Sequence, residues 1–414
     1  MISIETVVVG AGPAGASAAH VLATAGREVA LVDKASFPRD KFCGDGLTTL
    51  ALRELDELGF DPSTVSSWTP IDGAIIRSPK GRVHELGLPS GRGQYAAIAR
   101  RSDLDAALVD HARAAGALVR FGNGVVSMDP SSRDQHVELT LADGEVIRAR
   151  QCIAADGMWS PIRKMQGLDM PGYRGEWHAF RQYFENVGPN AASELWVWFE
   201  PDILPGYFWS FPIGDGRANV GFGILRGGRL STQDMKRLWP NLLARDHIRD
   251  ILGADAKPES PHRAWPIPAR IDKAPLSGEF TLFAGDAAAA CDPLTGEGIG
   301  QALLTGRLAA QAVIDRAGVD DGSFEAVERQ YVAEVQSELL ADHRMAVALG
   351  KLLESPRVAE FALKAVGANP WTRRNFGRWM FEDYPRALVA TPRRWHRGAL
   401  TKPGAFAADS AAAD

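Results

Sequence analysis

Residues 6–20 read TVVVGAGPAGASAAH, and this stretch decides the fold. The run 6–9 is continuously β-branched, which is typical of a strand buried on both faces of a parallel sheet. The alanine-rich stretch 14–25 predicts a helix that Gly26 ends. A second buried strand over 28–32 follows, so the chain begins with a β-α-β unit.

Three glycines between the first strand and the first helix point to a dinucleotide site. Gly10 suits the tight turn, Gly12 lets the backbone approach a pyrophosphate, and Gly15 lets the helix pack on the sheet. The phosphate charge would meet the positive N-terminus of the helix. Asp33 ends the next strand, where a carboxylate accepts hydrogen bonds from ribose hydroxyls and repels a 2′-phosphate. The pattern therefore favours FAD or NAD over NADP.

The composition is that of an ordinary globular protein. The 414 residues are 45% apolar and 23% charged, with a net charge of −5. This length suits two interleaved domains around a cofactor-sized cavity, and the charge gives no reason to expect nucleic acid binding. No basic leader precedes the first strand, and no apolar run approaches the roughly 18 residues of a spanning helix. We therefore expect a cytoplasmic protein, either free or at a membrane surface.

Cys43, Cys152 and Cys291 are far apart and lack the spacing of metal ligands. Their odd number favours free thiols in a reducing compartment, and no metal site is expected. We expect Cys152, inside a buried strand, to belong to the core and Cys291 to serve packing.

The pattern changes along the chain. HVELTLADGEVIRA (136–149) alternates around an Asp-Gly pair and predicts a β-hairpin. From about 172 to 270, alternating aromatic stretches such as LWVWF and YFWSF predict the antiparallel sheet of a second domain. The apolar strand 280–284 and an alanine- and glycine-rich helix ending near Val313 return the chain to the first domain.

Two further segments decide between FAD and NAD. Residues 152–164, CIAADGMWSPIRK, carry D-G-x-x-S-x-x-R from Asp156 to Arg163, and residues 285–300 read GDAAAACDPLTGEGIG. Together with the first motif they resemble the glutathione-reductase-like flavoprotein superfamily, in its group-A monooxygenase and geranylgeranyl reductase branches. The resemblance implies bound FAD, with Asp286 on the ribityl chain. A helix starting after Gly298 would stabilise the anionic reduced flavin with its positive end.

Two more stretches narrow the branch. Residues 37–48, FPRDKFCGDGLT, and residues 204–212, LPGYFWSFP, resemble the P-R-x-K-x-C-G-x-G and P-x-Y-x-W-x-F-P segments of the geranylgeranyl reductase and menaquinone reductase family. The resemblance covers about three-quarters of the chain. It implies an FAD-dependent oxidoreductase that hydrogenates isolated double bonds of a prenyl or similar hydrophobic substrate.

The resemblance also assigns roles to residues. Cys43, Tyr207 and Trp209 are the expected catalytic residues. Hydride transfer to an unactivated alkene needs a proton at the adjacent carbon, so Cys43 would shape the site or assist proton delivery. The expected cofactor-binding residues are Gly10, Gly12, Pro13, Ala14, Gly15, Asp33, Lys34, Arg39, Cys43, Gly44, Arg101, Val126, Asp156, Gly157, Gly285, Asp286, Pro293, Gly296, Glu297, Gly298 and Ile299.

We therefore predict an α/β fold with three parts. A Rossmann-like, glutathione-reductase-like FAD-binding domain is interleaved with an antiparallel-sheet substrate domain, and a helical C-terminal region follows. The expected ranges are 1–70, 96–170 and 275–325 for the FAD-binding domain, 71–95 and 171–274 for the substrate domain, 326–403 for the helical region and 404–414 for a disordered tail.

Other functions stay open. A flavin-dependent monooxygenase or halogenase would expose the reduced flavin to oxygen, and Lys80 is where a halogenase lysine would be sought, although its turn favours an ordinary solvent-facing lysine. A non-catalytic flavoprotein is the third interpretation. The stretch GFGILRGG (221–228) lacks the spacing of a second nucleotide site. Electrons would therefore come from transiently bound NAD(P)H or from a ferredoxin-like protein.

Two groups of residues have alternative interpretations. Trp196 and Trp198 share one strand face and either line a substrate wall or belong to the core. Arginines near the C-terminus form either a solvated face or a contact with an anionic membrane. They are Arg373, Arg374, Arg378, Arg393, Arg394 and Arg397, beside Trp371, Trp379 and Trp395.

Overall fold

The computed structural model describes residues 1–131, 136–317, 323–395, 400 and 402–407. The strands are β1 (Ile2–Val9), β2 (Val29–Asp33), β3 (Gly46–Leu47), β4 (Thr69–Pro70), β5 (Gly73–Arg77), β6 (Val83–Gly87), β7 (Ala97–Ile98), β8 (Leu118–Phe121), β9 (Val125–Ser131), β10 (His136–Leu141), β11 (Val146–Ala154), β12 (Trp177–Glu185), β13 (Leu195–Trp198), β14 (Phe208–Pro212), β15 (Arg217–Leu225), β16 (Lys257–Pro258), β17 (Arg263–Ile267), β18 (Ser277–Gly278) and β19 (Thr281–Phe283). The helices are α1 (Pro13–Thr24), α2 (Thr49–Glu57), α3 (Arg101–Ala114), α4 (Pro161–Met165), α5 (Pro189–Ser193), α6 (Met235–Leu243), α7 (Asp246–Leu252), α8 (Ile299–Arg316), α9 (Phe324–Leu353), α10 (Pro356–Val366) and α11 (Pro370–Met380).

The first sheet has the strand order β18-β19-β11-β1-β2-β8. β1 is parallel to both β11 and β2, and its residues Val7 and Val8 are fully buried, as a continuous apolar strand in a parallel sheet requires. α1 packs against α8 so closely that a Cβ on Gly306 would lie 2.0 Å from the carbonyl oxygen of Ala14. β10 pairs antiparallel with β11, which confirms the hairpin expected at 136–149. The predicted α/β fold class is confirmed.

The second sheet has the strand order β16-β12-β15-β14-β13-β5-β6, with β17 paired to β12. Its pairs are antiparallel except for β13 with β5, which is parallel. Alternation along β14 sends Phe208 to one face and Trp209 to the other. Phe208 joins Trp196 and Trp198 in an apolar cluster, in which the two tryptophan rings stack with centroids 5.3 Å apart. Trp196 and Trp198 are therefore core residues.

The C-terminal helices contact both sheets. On α9 the hydroxyl of Tyr331 donates to the carbonyl of Phe283 at 2.5 Å, and α11 packs against β6. Ala405 forms a β-bridge with Gln94, and Phe406 is buried. The expectation of a disordered tail from 404 therefore fails for 404–407, while 408–414 lie outside the described residues. Across the described residues, no helix combines the length and the apolar character needed to cross a bilayer.

Candidate active site

A cavity of about 470 Å³ lies where the carboxyl ends of the first sheet's parallel strands meet the second sheet. Most of the residues expected at the site line it, although they come from six separate segments. They are Gly10, Gly12, Pro13, Ala14, Asp33, Lys34, Arg39, Cys43, Gly44, Arg101, Asp156, Gly157, Tyr207, Trp209, Gly285, Asp286, Gly296, Glu297, Gly298 and Ile299.

Three expected residues do not line the cavity. Val126 has a 57% exposed side chain, because alternation along β9 turns it away while Val125 faces the cavity. The Val126 side chain therefore does not line the cavity, and the assignment of this residue to the cofactor site stays a prediction. The carbonyl of Pro293 accepts a 2.9 Å hydrogen bond from Nε1 of Trp177, so Pro293 positions a side chain that lines the cavity. A Cβ on Gly15 would lie 1.7 Å from the Gly10 carbonyl oxygen, so Gly15 serves the packing role expected of it.

The turn at the N-terminus of α1 leaves room for a ligand at one glycine only. Gly10 has φ +98°, and a Cβ there would lie 2.3 Å from the carbonyl oxygen of Ala155. Gly12 has no backbone near it, and the closest atoms to a Cβ would be Nη2 of Arg39 at 3.7 Å and Nη2 of Arg101 at 3.9 Å. The space over Gly12 therefore opens toward two guanidinium groups.

Those two guanidinium groups share one buried carboxylate. Arg101 Nε and Nη2 donate to the two oxygens of Asp105 at 2.8 and 2.9 Å, and Arg39 Nη1 lies 3.2 Å from the same residue. Two cations against one anion leave a net positive charge beside the N-terminus of α1. That charge, together with the exposed backbone N–H groups, suits a diphosphate.

Asp33 holds the end of β2 against the glycine turn. Its carboxylate accepts from the backbone N–H of Ala11 at 2.7 Å and of Ala35 at 2.8 Å. These contacts fix the carboxylate at the mouth of the turn, where a ribose hydroxyl can reach it.

Asp156 brings an unsatisfied acceptor to the cavity wall. Its Oδ2 accepts from the N–H of Ile162 at 3.0 Å, whereas its buried Oδ1 has no hydrogen-bond partner among the described residues. Burial raises the pKa of Asp156 to about 6. A buried acceptor without a donor is costly, so this oxygen is suited to a ligand hydroxyl or N–H.

Arg163 joins the two later cofactor segments. Its guanidinium donates to the carbonyl of Ala287 at 2.7 Å and to that of Met158 at 3.0 Å. Ser160 caps this segment by accepting from the N–H of Arg163 at 3.0 Å. The D-G-x-x-S-x-x-R motif thereby positions the turn that carries Asp286.

Cys291 lies closer to the cofactor segment than packing alone requires. It lines the cavity, and its thiol donates to Oδ1 of Asp286 at 3.3 Å. Cys152 is fully buried in β11, as expected of a core residue.

Aromatic side chains from and just before β14 form the wall of the second half of the cavity. Tyr207, Trp209 and Phe211 follow at intervals of two, with ring centroids 5.9 and 6.1 Å apart. Trp209 lies against Gly221, where a Cβ would come within 2.3 Å of the indole. The Tyr207 hydroxyl donates to the carbonyl of Thr295, which ties this wall to the turn before α8.

The loop that carries Cys43 is fastened to the second sheet. The Cys43 carbonyl accepts from Arg181 Nε at 3.1 Å and from Asn219 Nδ2 at 3.0 Å. Asn219 also accepts from Trp209 Nε1 at 3.1 Å. The thiol and the indole are therefore positioned by one amide. Desolvation raises the pKa of Cys43, so its thiol is neutral at physiological pH.

Glu297 is the most strongly perturbed carboxyl group in the cavity wall. It lies beside Gly46, where a Cβ would be 3.4 Å from Oε1. Burial and, to a lesser extent, the neighbouring carboxylates of Glu382 and Asp292 raise its pKa to about 8 against the opposing charge of Arg386. Glu297 is therefore mostly protonated at neutral pH and can donate a proton.

Arg386 comes from the region without a sequence resemblance. Its Nε lies 3.1 Å from Asp292, and its Nη2 lies 3.4 Å from Glu382. The motifs gave no signal for this network, because Asp292 and Arg386 are 94 positions apart and meet only in the folded chain.

Sequence reasoning also missed several lining residues. Lys41 places Nζ 4.1 Å from the centroid of the Trp265 ring, and both residues line the cavity with Trp177. Burial lowers the pKa of Lys41. Lys41 occupies the lysine position of the P-R-x-K-x-C-G-x-G match, so a signal for it existed. The two tryptophans carried none.

Lys80 lies outside this cavity, on the turn between β5 and β6. Its backbone N–H donates to Glu360 at 3.1 Å. A halogenase-like role for it is not supported by this position.

The first half of the cavity fits FAD. A diphosphate would meet Arg39, Arg101 and the N-terminus of α1, and the adenosine ribose would meet Asp33. The unsatisfied oxygen of Asp156 and the carboxylate of Asp286 line the continuation toward the second sheet, where the ring would meet the N-terminus of α8.

Comparison with known proteins gives the same assignment. Residues 3–304 match the FAD binding domain family. The menaquinone reductase of Mycobacterium tuberculosis is 36% identical over 76% of this chain and 77% of its own length. The digeranylgeranylglycerophospholipid reductase 2 of Methanopyrus kandleri is 32% identical over 79% of this chain and 81% of its own.

A solved structure shows the same fold. The geranylgeranyl bacteriochlorophyll reductase-like protein of Thermoplasma acidophilum superposes with a TM-score of 0.79, at 22% identity, over 95% of this chain and 99% of its own. The sequence matches and the cavity geometry agree on the cofactor, and the chain belongs to the family of FAD-dependent oxidoreductases that includes the menaquinone reductases and the digeranylgeranylglycerophospholipid reductases.

Proposed function

We propose that the protein reduces carbon–carbon double bonds of a prenyl or similarly hydrophobic substrate. One observation carries the proposal: an apolar wall of Tyr207, Trp209 and Phe211 lines the same cavity as a protonated carboxyl group, Glu297. The names of the relatives, which refer to menaquinone and to a digeranylgeranyl phospholipid, support a lipid-like substrate.

The chain's own residues divide the work. FAD held in this cavity would, in its reduced form, be the source of hydride for one alkene carbon. Glu297 gives its proton to the adjacent carbon, so that one hydride and one proton complete the new C–H bonds. The positive charge of Arg386 offsets the carboxylate that this leaves. Solvent then reprotonates Glu297.

Cys43 has a supporting role in this proposal. Its neutral thiol lines the cavity with Tyr207 and Trp209 and is held in place through its own carbonyl. We assign it to shaping the space beside the ring, so that the alkene carbons stay within reach of both hydride and proton. Tyr207 positions the turn before α8, and Trp209 bounds the substrate space.

The electron donor belongs to the proposal as well. We infer that reducing equivalents come either from NAD(P)H that binds transiently or from a ferredoxin-like protein. Mixing the oxidised holoenzyme under anaerobic conditions with NADH, with NADPH or with reduced ferredoxin tests this, because only the physiological donor bleaches the flavin absorbance at a rate that matches turnover.

Anaerobic turnover tests the reaction. Holoenzyme reduced with dithionite is mixed without oxygen with detergent-dispersed menaquinone or geranylgeranyl lipid, and the flavin absorbance and the product mass are followed. We expect reoxidation of the flavin together with a gain of two hydrogens per reduced bond. A flavin that stays reduced until oxygen is admitted, with a product heavier by one oxygen, would instead establish a monooxygenase.

A further inference from the structure

The end of α9, α10 and the start of α11 carry an unusual concentration of exposed apolar side chains. Phe361 is 74% exposed, Trp371 70% and Leu352 57%, and Val347 and Val358 are exposed as well. The other large apolar side chains with high exposure in the described part of the chain are scattered over six separate places. Isolated exposed apolar residues are normal, whereas a group on three adjoining helices marks an interaction surface.

The same helices are positively charged. Residues 351–374 contain five basic and two acidic residues, although the whole chain has a net charge of −5. Lys351, Arg357, Lys364 and Arg374 are exposed. Of the two acids, Glu360 is buried against Arg82, 3.5 Å away. Because a second copy of the chain would present the same charge, self-association through this surface is disfavoured.

This surface keeps only part of the arginine cluster named from the sequence, namely Trp371, Arg373 and Arg374. Arg378 pairs with Asp383, and Arg394 pairs with Asp342 at 3.1 Å, so neither faces a partner freely. The side chain of Arg393 and all of Arg397 lie outside the described residues. The basic residues of α10 and its two neighbours are the ones that remain exposed.

The buried side of α10 belongs to an apolar cluster that extends to the substrate half of the cavity. Leu363 and Val366 belong to the same apolar cluster as Tyr207 and Phe211, which line the cavity. One apolar cluster therefore connects α10 with the aromatic wall of the cavity.

We propose that this surface, defined by Leu352, Val358, Phe361 and Trp371 with their basic neighbours, docks on an anionic lipid bilayer. Aromatic and aliphatic side chains enter the interfacial region, and basic residues are attracted to the anionic headgroups. The proposal rests on the proposed function for the identity of the lipid-resident substrate. Binding to the bilayer itself does not depend on turnover.

Vesicle sedimentation of the holoenzyme tests the surface. We compare vesicles of phosphatidylcholine alone with vesicles containing phosphatidylglycerol, at low and high salt. The wild type is expected to bind the anionic vesicles and to dissociate partly at high salt. The double variant Phe361→Ser with Trp371→Ser is expected to bind at least tenfold more weakly. Leu400→Ser is the matched control, because Leu400 is 47% exposed and lies outside these three helices.

A second pair of variants tests the charge. Arg357→Gln with Lys364→Gln is expected to reduce binding to anionic vesicles several-fold, and Arg237→Gln, with its 81% exposed side chain on α6, is expected to change nothing. All variants should keep their flavin absorbance. Equal vesicle binding by wild type and double variant would overturn the proposal, and so would a dimer that the double variant abolishes. Neither result would affect alkene reduction in detergent.

Discussion

The two halves of the cavity are built in different ways. The FAD-binding half uses backbone and glycine: Gly10 turns the chain, Gly12 opens it, and Asp33 is held by two backbone N–H groups. The substrate half uses side chains that come from distant segments, such as Cys43 held by Arg181 and Asn219. A site formed largely by backbone atoms can be recognised from one short motif, here the fifteen residues 6–20. A site made of side chains exists only after folding.

The largest effect is expected where the backbone approaches itself most closely. Gly10→Ala should abolish FAD retention, because its Cβ would meet the Ala155 carbonyl at 2.3 Å. Gly116→Ala is the matched control: Gly116 has φ +109° and no atom near its Cβ position, so it should cost only about 1–2 kcal/mol of stability. The flavin-to-protein absorbance ratio and thermal unfolding measure both. A yellow Gly10→Ala protein would show that the turn can relax.

The next effect belongs to the substrate half. Glu297→Gln should slow substrate-dependent flavin reoxidation by about 10²-fold or more while FAD content stays the same, because the amide cannot donate an acidic proton. The wild-type rate should fall as pH rises through about 8, where Glu297 loses its proton. The glutamine variant should lack this decline. A decline that persists unchanged would assign it to another group.

Stability gives a readout of Glu297 without turnover. Its pKa is raised in the folded state, so between the ordinary value of 4.5 and about 8 the native state binds more protons than the unfolded state. The free energy of unfolding should therefore decrease as pH rises through this window. Denaturant titrations of Glu297→Gln should show a flatter dependence on pH than the wild type.

A smaller effect is expected at Cys43. If the thiol shapes the substrate space, Cys43→Ala should slow single-turnover reoxidation by about tenfold, below the scale of a lost general acid. Cys43→Ser should be milder, since it keeps the size and a donor. A loss as large as that of Glu297→Gln would instead make the thiol the proton donor.

The smallest catalytic effect is expected on the face of the second sheet that points away from the cavity. Trp196→Phe should leave kcat/KM unchanged and cost about 1–2 kcal/mol of unfolding free energy, because Trp196 packs in the core cluster and its indole donates to Glu194 at 2.9 Å. Trp209→Phe, on the opposite face, should lower kcat/KM. Similar kinetics for the two variants would mean that the aromatic wall does not contact the substrate.

Much of the FAD-binding half could be predicted, since strand, glycine turn and Asp33 depend on residues close in sequence. The helix beginning at Ile299 was likewise readable from the glycine-rich turn before it. Val125 rather than Val126 turns its side chain to the cavity, a difference that depends on the exact register of β9. The raised pKa of Glu297 was not predictable, because it depends first on burial in the folded chain and then on Glu382 and Arg386, in a region without a recognisable motif.

Arg181 and Asn219 hold the Cys43 loop by hydrogen bonds to its backbone carbonyl. The stabilities of the FAD-binding half and the substrate half of the cavity are therefore coupled. The loop runs from cofactor-facing Arg39 to Gly46, so its ordering is shared by ligand and sheet. FAD binding should thus protect β12 and β15 from amide hydrogen exchange although neither strand belongs to the nucleotide-binding sheet. By the same reciprocity, weakening the second sheet at Asn219 loosens the cofactor.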